Sequence, residues 1–397
     1  MRCEALAANG KGASEVLTRK DDAARSKAGK KSTQATVGGA VAGSAAIAHF
    51  GMGAATIAIL IFVAVLAGAS SPATSAVIDT VPGTDVRTFG AKGDGVTDDT
   101  VALQNAANSN QVLWFPKTSA FYKTTSVITL KNSVYSNGAE VRILQDASPG
   151  KSVFRVADSA AQLTIDGFVL NGLYTTGSNA NEYSHGISLW SSANVTISNN
   201  TIKNSFGDNI YLGRASSAPC RNITINNNIL SNPYRNNISL IHTDGVTIRS
   251  NTITKTFDYV GSIDLEPNPD GVGNNKNVTI DNNNITCPHG CINVSKNNTD
   301  ACTNLRITNN VISALANMIY ISAASPVTPA PYFKGNHFTA TNFSADLSHA
   351  GMFLINGSTN ITFDSNVDHT TPGTGYHSLV LWGGANVAVN TNNTFVP

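Results

Sequence analysis

The sequence predicts an all-β fold: a right-handed parallel β-helix (a solenoid) with a short N-terminal capping helix, preceded by one transmembrane or signal segment. Three observations predict the solenoid. A short motif ending in Asn recurs along the chain, most repeats carry a second strand, and both strands alternate apolar and polar residues, the period of a half-buried strand.

The Asn motif reads VTISNN ending at Asn200, ITINNN at Asn228, VTIRSN at Asn251, VTIDNN at Asn283 and LRITNN at Asn310. A degenerate YFKGN ends at Asn336, ITFDSN at Asn366 and VAVNTN at Asn392, and an earlier copy, LTIDGF, ends at Phe168. The steps between the Asn residues are 28, 23, 32, 27, 26, 30 and 26 residues. The second strand reads GISLW (186–190), NIYLG (209–213), NISLI (237–241), SIDLE (262–266), CINVS (291–295), MIYIS (318–322) and SLVLW (378–382). These strands are too short for helices, and β-branched residues fill their apolar slots. One such unit cannot bury its apolar side alone. Stacking coils piles Ile187, Ile210, Ile238, Ile263, Ile292 and Ile319 into one inner column, with Leu189, Leu212, Leu240, Leu265, Val294 and Ile321 in a second. The recurring Asn falls at a corner, where its amide can bond the next coil. Unequal steps place insertions in loops. Antiparallel sandwiches would need hairpin signals that are absent, and right-handedness is the default for parallel crossovers.

Before the repeats, residues 1–52 are basic. Residues 53–69, GAATIAILIFVAVLAGA, carry no charge and are about the minimum length for a bilayer span. The basic flank keeps the N-terminus in the cytoplasm and exports the rest, as a secreted or membrane-anchored protein. Residues 70–84 form a linker whose small residues suit cleavage, and 85–397 form the solenoid. Lys plus Arg (26) nearly balance Asp plus Glu (25), so no basic face is on offer to nucleic acid. Polarity rests on Asn, Ser and Thr, which suit sugar hydroxyls. Asn-x-Ser/Thr triplets, as at Asn194, Asn222, Asn277, Asn284 and Asn360, follow from Asn-rich composition. Cys287, Cys291 and Cys302 lie close enough for one local disulfide. No Cys/His spacing resembles a zinc site.

Residues 85–107, DVRTFGAKGDGVTDDTVALQNAA, resemble the opening motif of the pectate-lyase-like β-helix superfamily, which includes rhamnogalacturonase-like and epimerase-like enzymes and phage tailspikes. Residues 112–130, VLWFPKTSAFYKTTSVITL, resemble that superfamily's next segment. The resemblance implies a fold starting near Asp85 and a helix from about Asp98 to Asn108 over the N-terminal end of the solenoid. The residues agree: Thr97 suits an N-cap, Asp98 and Asp99 suit the first turn, and Val101 and Leu103 supply apolar contacts. Asp94, Asp98 and Asp99 read as structural rather than catalytic. There is no DPH triplet of alginate epimerases and no paired-Asp and RIK set of polygalacturonases, so the fold carries over and the reaction does not.

Chemistry is sought on the outward positions of the SIDLE-type strands. They are Ser188 and Trp190, Tyr211 and Gly213, Ser239 and Ile241, Asp264 and Glu266, Asn293 and Ser295, Tyr320 and Ser322. Only one coil presents two carboxylates, Asp264 and Glu266, which emerge about 6.5–7 Å apart along the strand. That spacing suits a pair of glycosidase acids, with Asp208 as a further acid or base. Trp190, Tyr211, Ser239, Asn293 and Tyr320 would line a sugar groove, with His185, Arg235 and His242 at its margins. His185 and Asp208 occupy equivalent corners, Asp258 and Asp270 flank the acidic coil in loops, and Arg235 would pair with Asp258 or with a substrate carboxylate. The bland alternatives are a solvated face, corner hydrogen bonding by His185 and His242, and exposed aromatics without a ligand. No metal or other cofactor is required, although Asp264 and Glu266 with Asn293 or Asp270 offer hard ligands for Ca²⁺. The expected partner is a polysaccharide, and no oligomeric state is readable. A glycoside hydrolase leads. A uronate lyase using Arg235 or Lys255 and a non-catalytic glycan-binding solenoid are the alternatives.

Overall fold

The structure, a computed structural model, describes residues 82–395 apart from the segments 145–151, 158–160, 177–181, 257–260, 269–272, 296–301, 316–317, 323–330, 341–350, 357–360, 372–376 and 383–386. The described residues fall in one compact unit, Val77–Pro397. The basic segment, the apolar run 53–69, Asp258, Asp270 and Asn360 lie outside the described residues. Among the described residues, no helix is long and apolar enough to cross a membrane.

The chain winds as a right-handed parallel β-helix whose coils build three sheets of twelve, ten and ten strands. One coil runs through Ala193–Ser198 in the first sheet, Thr201–Lys203 in the second and Ile210–Gly213 in the third. Neighbours within each sheet are successive coils, all paired in parallel. Both inner columns expected from the sequence are present and buried, from Ile187 to Ile319 and from Leu189 to Ile321. The first sheet contributes Val195, Ile223, Val246, Val278 and Leu305 to the same core. Near the N-terminal end, Phe115, Phe154 and Phe168 meet edge to face at centroid distances of 5.0–6.1 Å.

The corner between the first and second sheets fixes this stacking. Asn200, Asn228, Asn251, Asn283, Asn310, Asn336 and Asn366 form one buried ladder. In a typical rung, Asn228 Nδ2 donates to Asn251 Oδ1 at 3.0 Å and to the Ile197 carbonyl of the preceding coil at 2.9 Å. The Asn228 backbone N–H donates to the same Asn251 oxygen at 2.9 Å. Each amide thereby satisfies backbone groups that the turn leaves unpaired, in a place closed to water. The residue before each rung is left-handed: Asn199, Asn227, Ser250, Asn282, Asn309, Gly335 and Ser365 all have positive φ. Asn tolerates that conformation at little cost, which explains the repeated Asn-Asn pairs.

Three expectations need correction. The last rung is Asn393, which accepts from Asn366, because a turn closed by Asn393 N–H on the Asn390 carbonyl adds one residue; Asn392 pairs instead with Asp364 and Ser365. The short helix spans Thr100–Ala107 with Asp99, not Thr97, at its N-cap. Asp98 binds the Thr100 N–H and the Thr125 hydroxyl, whereas buried Asp99 holds the N–H groups of Lys92 and Gly93. Leu103 is buried as expected, but Val101 faces solvent. Gln104 bonds both backbone groups of Thr129 on the edge strand Ile128–Leu130, so the helix meets polar groups that no further strand pairs. Cys287 and Cys291 form the local disulfide, while Cys220 and Cys302 are buried thiols.

The ladder predicts a sharp contrast between adjacent residues. Asn251→Ala strands the Asn228 N–H and removes the amide bond to the Ile225 carbonyl, and is expected to lower unfolding free energy by about 3 kcal/mol. Asn227→Gly, next to a rung and already left-handed, is expected to change it by well under about 1 kcal/mol. Denaturant midpoints of the two variants check this.

Candidate functional site

The outward side of the third sheet collects most of the chemistry-bearing residues. Parallel register aligns Arg155, Ser188, Tyr211, Ser239, Asp264, Asn293 and Tyr320 in one row, coil by coil. Two residues before the inner Ile of each coil, His185, Asp208 and Asn236 align at the corner, tied by N–H···O bonds from Gly186 to Asp208 and from Asn209 to Asn236. Asp264 is therefore outward in register, as the alternation requires. It is not a solvated group, however, since only 7% of it is exposed. Glu266, two residues on, is half-buried.

Hydrogen bonds join the row to the corner. Asn236 Nδ2 donates to Asp264 Oδ2 at 3.2 Å and to Ser239 Oγ at 3.1 Å. The Asn236 backbone N–H donates to Asp208 Oδ1 at 2.9 Å. His185 Nδ1 accepts the Asp208 N–H at 3.1 Å and lies 3.4 Å from Asp208 Oδ2. The Arg235 guanidinium stands 3.5 Å from Glu182 and 3.9 Å from Asp208.

These surroundings split the two buried acids. Burial raises the Asp264 pKa, and the like charges of Glu266 and Asp208 raise it further; Arg235 and Asn236 counter only in part, leaving it at about 8. Burial also acts to raise Asp208, but His185, Arg235 and the Asn236 N–H overcome it and hold Asp208 below the usual carboxylate range. Burial disfavours charge on Arg235, and Asp208, Glu182, Glu266 and Asp264 together outweigh that and keep its pKa raised. At neutral pH, then, one protonated and one ionised aspartate share a hydrogen-bonded network. That is the pattern of a site with an acid to give.

Unsatisfied polar atoms gather on the same face. Eleven buried side-chain polar atoms among the described residues lack a hydrogen-bond partner, and five are Ser152 Oγ, Ser188 Oγ, Trp190 Nε1, Asn236 Oδ1 and Asp264 Oδ1. Native interiors leave few such atoms, and a cluster calls for a functional explanation.

The remaining expected residues are dispersed around this centre. Asp208 is fully buried, and its charge adds to the rise in the Asp264 pKa. Tyr211 stacks on His185 and tilts toward Trp190. Asn293 packs against Gly261 and Gly290, whose missing side chains leave it room. Tyr320 continues the row two coils beyond Asp264. His242 is not brought to the acids: it is buried, with its ring nitrogens on Asn274 backbone atoms and the Ser217 carbonyl, a corner staple. Lys255 is buried as well, its ammonium donating to the carbonyls of Arg235 and Gly261. Arg235 pairs with Glu182 and Asp208, and the expected partner Asp258 lies outside the described residues. Sequence reading overlooked Asn236 and Glu182. Asn236 shares the strand offset of His185 and Asp208, so coil alignment could have found it; Glu182 sits in a loop with no repeat signal. Among the described residues, no group of three or more His, Cys, Asp or Glu side chains is placed to hold a metal ion.

Residues 102–266 match the family described as a right handed beta helix region. No curated protein matches the chain by sequence. Among solved structures, the chain is similar to the N-terminal fragment of bacteriophage Phi29 gene product 12, with 16% identity over 78% of this chain and 58% of that one, and a TM-score of 0.60. It is similar to the Agl-KA catalytic domain, with 14% identity over 77% of this chain and 57% of that one, and a TM-score of 0.62. It is also similar to the A-module of Azotobacter vinelandii mannuronan C-5 epimerase AlgE4, with 12% identity over 78% and 96% of the two chains and a TM-score of 0.50. The chain spans less than two thirds of the first two structures. At such identities the likeness speaks for the fold.

Asp264 should destabilise the protein as pH rises. Its pKa climbs from an ordinary 3.8 to about 8 on folding, so its contribution is most favourable below about pH 4 and is lost as pH rises through about 8. Asp264→Asn is expected to be more stable than the natural chain by about 4 kcal/mol at pH 7, with the gap closing toward pH 4. Thermal melts of both chains across that range measure it.

Proposed function

We propose, for a chain that belongs to the right-handed parallel β-helix superfamily, that the third sheet acts on an extended polysaccharide and hydrolyses a glycosidic bond. One observation carries the reading: a buried carboxyl whose pKa is raised to about 8 stands two residues before a second carboxylate, Glu266, which follows the strand Ile263–Leu265. Asp264 gives its proton to the glycosidic oxygen as the bond to the anomeric carbon breaks. Glu266 takes a proton from water, whose oxygen joins that carbon. Two residues of extended backbone span about 6.5–7 Å, a separation that leaves room for the water and would give inversion at the anomeric centre. Asp208 holds the Asp264 proton by like-charge repulsion, and Asn236 fixes the carboxyl's orientation. A polysaccharide lies along the solenoid axis, crossing coils about 4.8 Å apart.

The fold likeness to an epimerase module named for mannuronan and to a catalytic domain supports a glycan-processing role without choosing the reaction. The uronate-lyase alternative needs a cation turned toward a sugar carboxylate. Arg235 already faces four carboxylates of this chain, and Lys255 donates to backbone carbonyls, so hydrolysis is favoured. An exported location accords with the Cys287–Cys291 disulfide, which persists in oxidising surroundings.

The full chain should release reducing ends from at least one polysaccharide in a panel of neutral and uronate glycans, without the ultraviolet absorbance of a lyase product. Asp264→Asn and Glu266→Gln are each expected to lower turnover by about 10²–10⁴-fold. Cleavage that survives both substitutions rules this centre out, and binding without cleavage supports a purely glycan-binding solenoid. Turnover should also fall as pH rises above about 8, where Asp264 loses its proton. Asp208→Asn removes a like charge and should move that alkaline limb to lower pH, which a pH–rate profile reads directly.

A further inference from the structure

Two coils before Asp264, the same face carries an aromatic arrangement that acid chemistry does not need. Tyr211 and Trp190 meet with centroids 5.3 Å apart and planes at 50°. His185 lies flat on Tyr211, at 4.4 Å and 4°, and its own ring is pinned by the Asp208 N–H. The Tyr211 ring leans along its strand over Gly213, the residue paired across coils with Trp190. A Cβ at Gly213 would stand 2.3 Å from Tyr211 Cε1 and 3.0 Å from its hydroxyl oxygen. Gly213 lies outside the left-handed φ region, so its glycine is explained by this space and not by backbone conformation. Both Ser188 Oγ and Trp190 Nε1, beside the rings, are buried without hydrogen-bond partners.

We propose that Trp190 and Tyr211 form a stacking subsite for a pyranose ring, kept open by Gly213 and separate from the acid pair. The inference rests on the polysaccharide reading of this face. A pyranose offers an apolar C–H face to the angle between the two half-buried rings. His185 braces Tyr211 from behind, so the ring meets the sugar already in place. Tyr211 lies two coils, about 10 Å, from Asp264 along the axis. The subsite thus grips the substrate to one side of the broken bond, toward the N-terminal coils, and sets which linkage reaches the acids.

Calorimetric titration of the full-length Asp264→Asn chain with neutral and uronate oligosaccharides of increasing length tests this without turnover. At least one oligosaccharide should bind, and Trp190→Ala, Tyr211→Ala and Gly213→Ala should each weaken it by about tenfold. Tyr211→Phe, which keeps the ring, should bind like its parent. Unchanged affinity in Trp190→Ala and Tyr211→Ala overturns the subsite, as does failure of the whole panel to bind. Should Gly213→Ala fold poorly, Tyr211→Ala still decides, because it leaves Gly213 in place. The two readings fail separately: cleavage unaffected by Asp264→Asn removes the acid pair and leaves the subsite standing, while unaltered binding in the aromatic variants does the reverse.

Discussion

The stacking of this molecule depends on a buried amide repeated once per coil from Asn200 onward. Apolar columns alone would hold the coils together at several registers, since one Ile packs on another almost as well after a slip. The Asn ladder removes that freedom. Each amide oxygen accepts two N–H groups from the coil before, and each amide nitrogen reaches back to a strand carbonyl. A shift by one residue would leave all of these groups unpaired in a dry corner, at about 1–3 kcal/mol apiece. Register is thereby set on one edge of the triangle and transmitted to the third sheet on another.

Correct register brings His185, Asp208, Asn236, Ser239 and Asp264 together although they come from four coils. Most of the solenoid satisfies its polar groups; this face does not. It buries an acid that burial forces to keep its proton, surrounds one guanidinium with four carboxylates, and leaves several polar atoms without partners. A stability-optimised wall would carry Thr or Val at these positions, as the first sheet does in its row of Thr164, Thr196, Thr224, Thr247 and Thr279. Concentrated local cost in an otherwise regular fold is what the proposed site has to offset elsewhere.

The architecture was legible because periodicity 2 within strands and a recurring Asn between them are both written directly in residue types. Even the outward row could be aligned, since Ile187, Ile210, Ile238 and Ile263 fix the offset. Two things escaped. Depth was one: outward-pointing Asp264 reads as solvated, and only the neighbouring corner residues show that it is buried. The other was loop geometry. Glu182 approaches Arg235 from outside the repeat, and the extra residue of the final turn moved the last rung from Asn392 to Asn393. His242 shows the same limit, since its place beside the third strand says nothing of the carbonyls that capture its ring.

The rungs of the ladder all point one way. From Asn200 to Asn366, each side-chain nitrogen donates to the oxygen of the following rung, and the row closes on Asn393, whose nitrogen turns back to the carbonyls of Phe363 and Asn390. Aligned amides polarise one another, so a rung in the middle is held more firmly than one at either end. The solenoid therefore has a mechanical polarity. Under tension the ladder should peel rung by rung from its ends, with the interior giving way last.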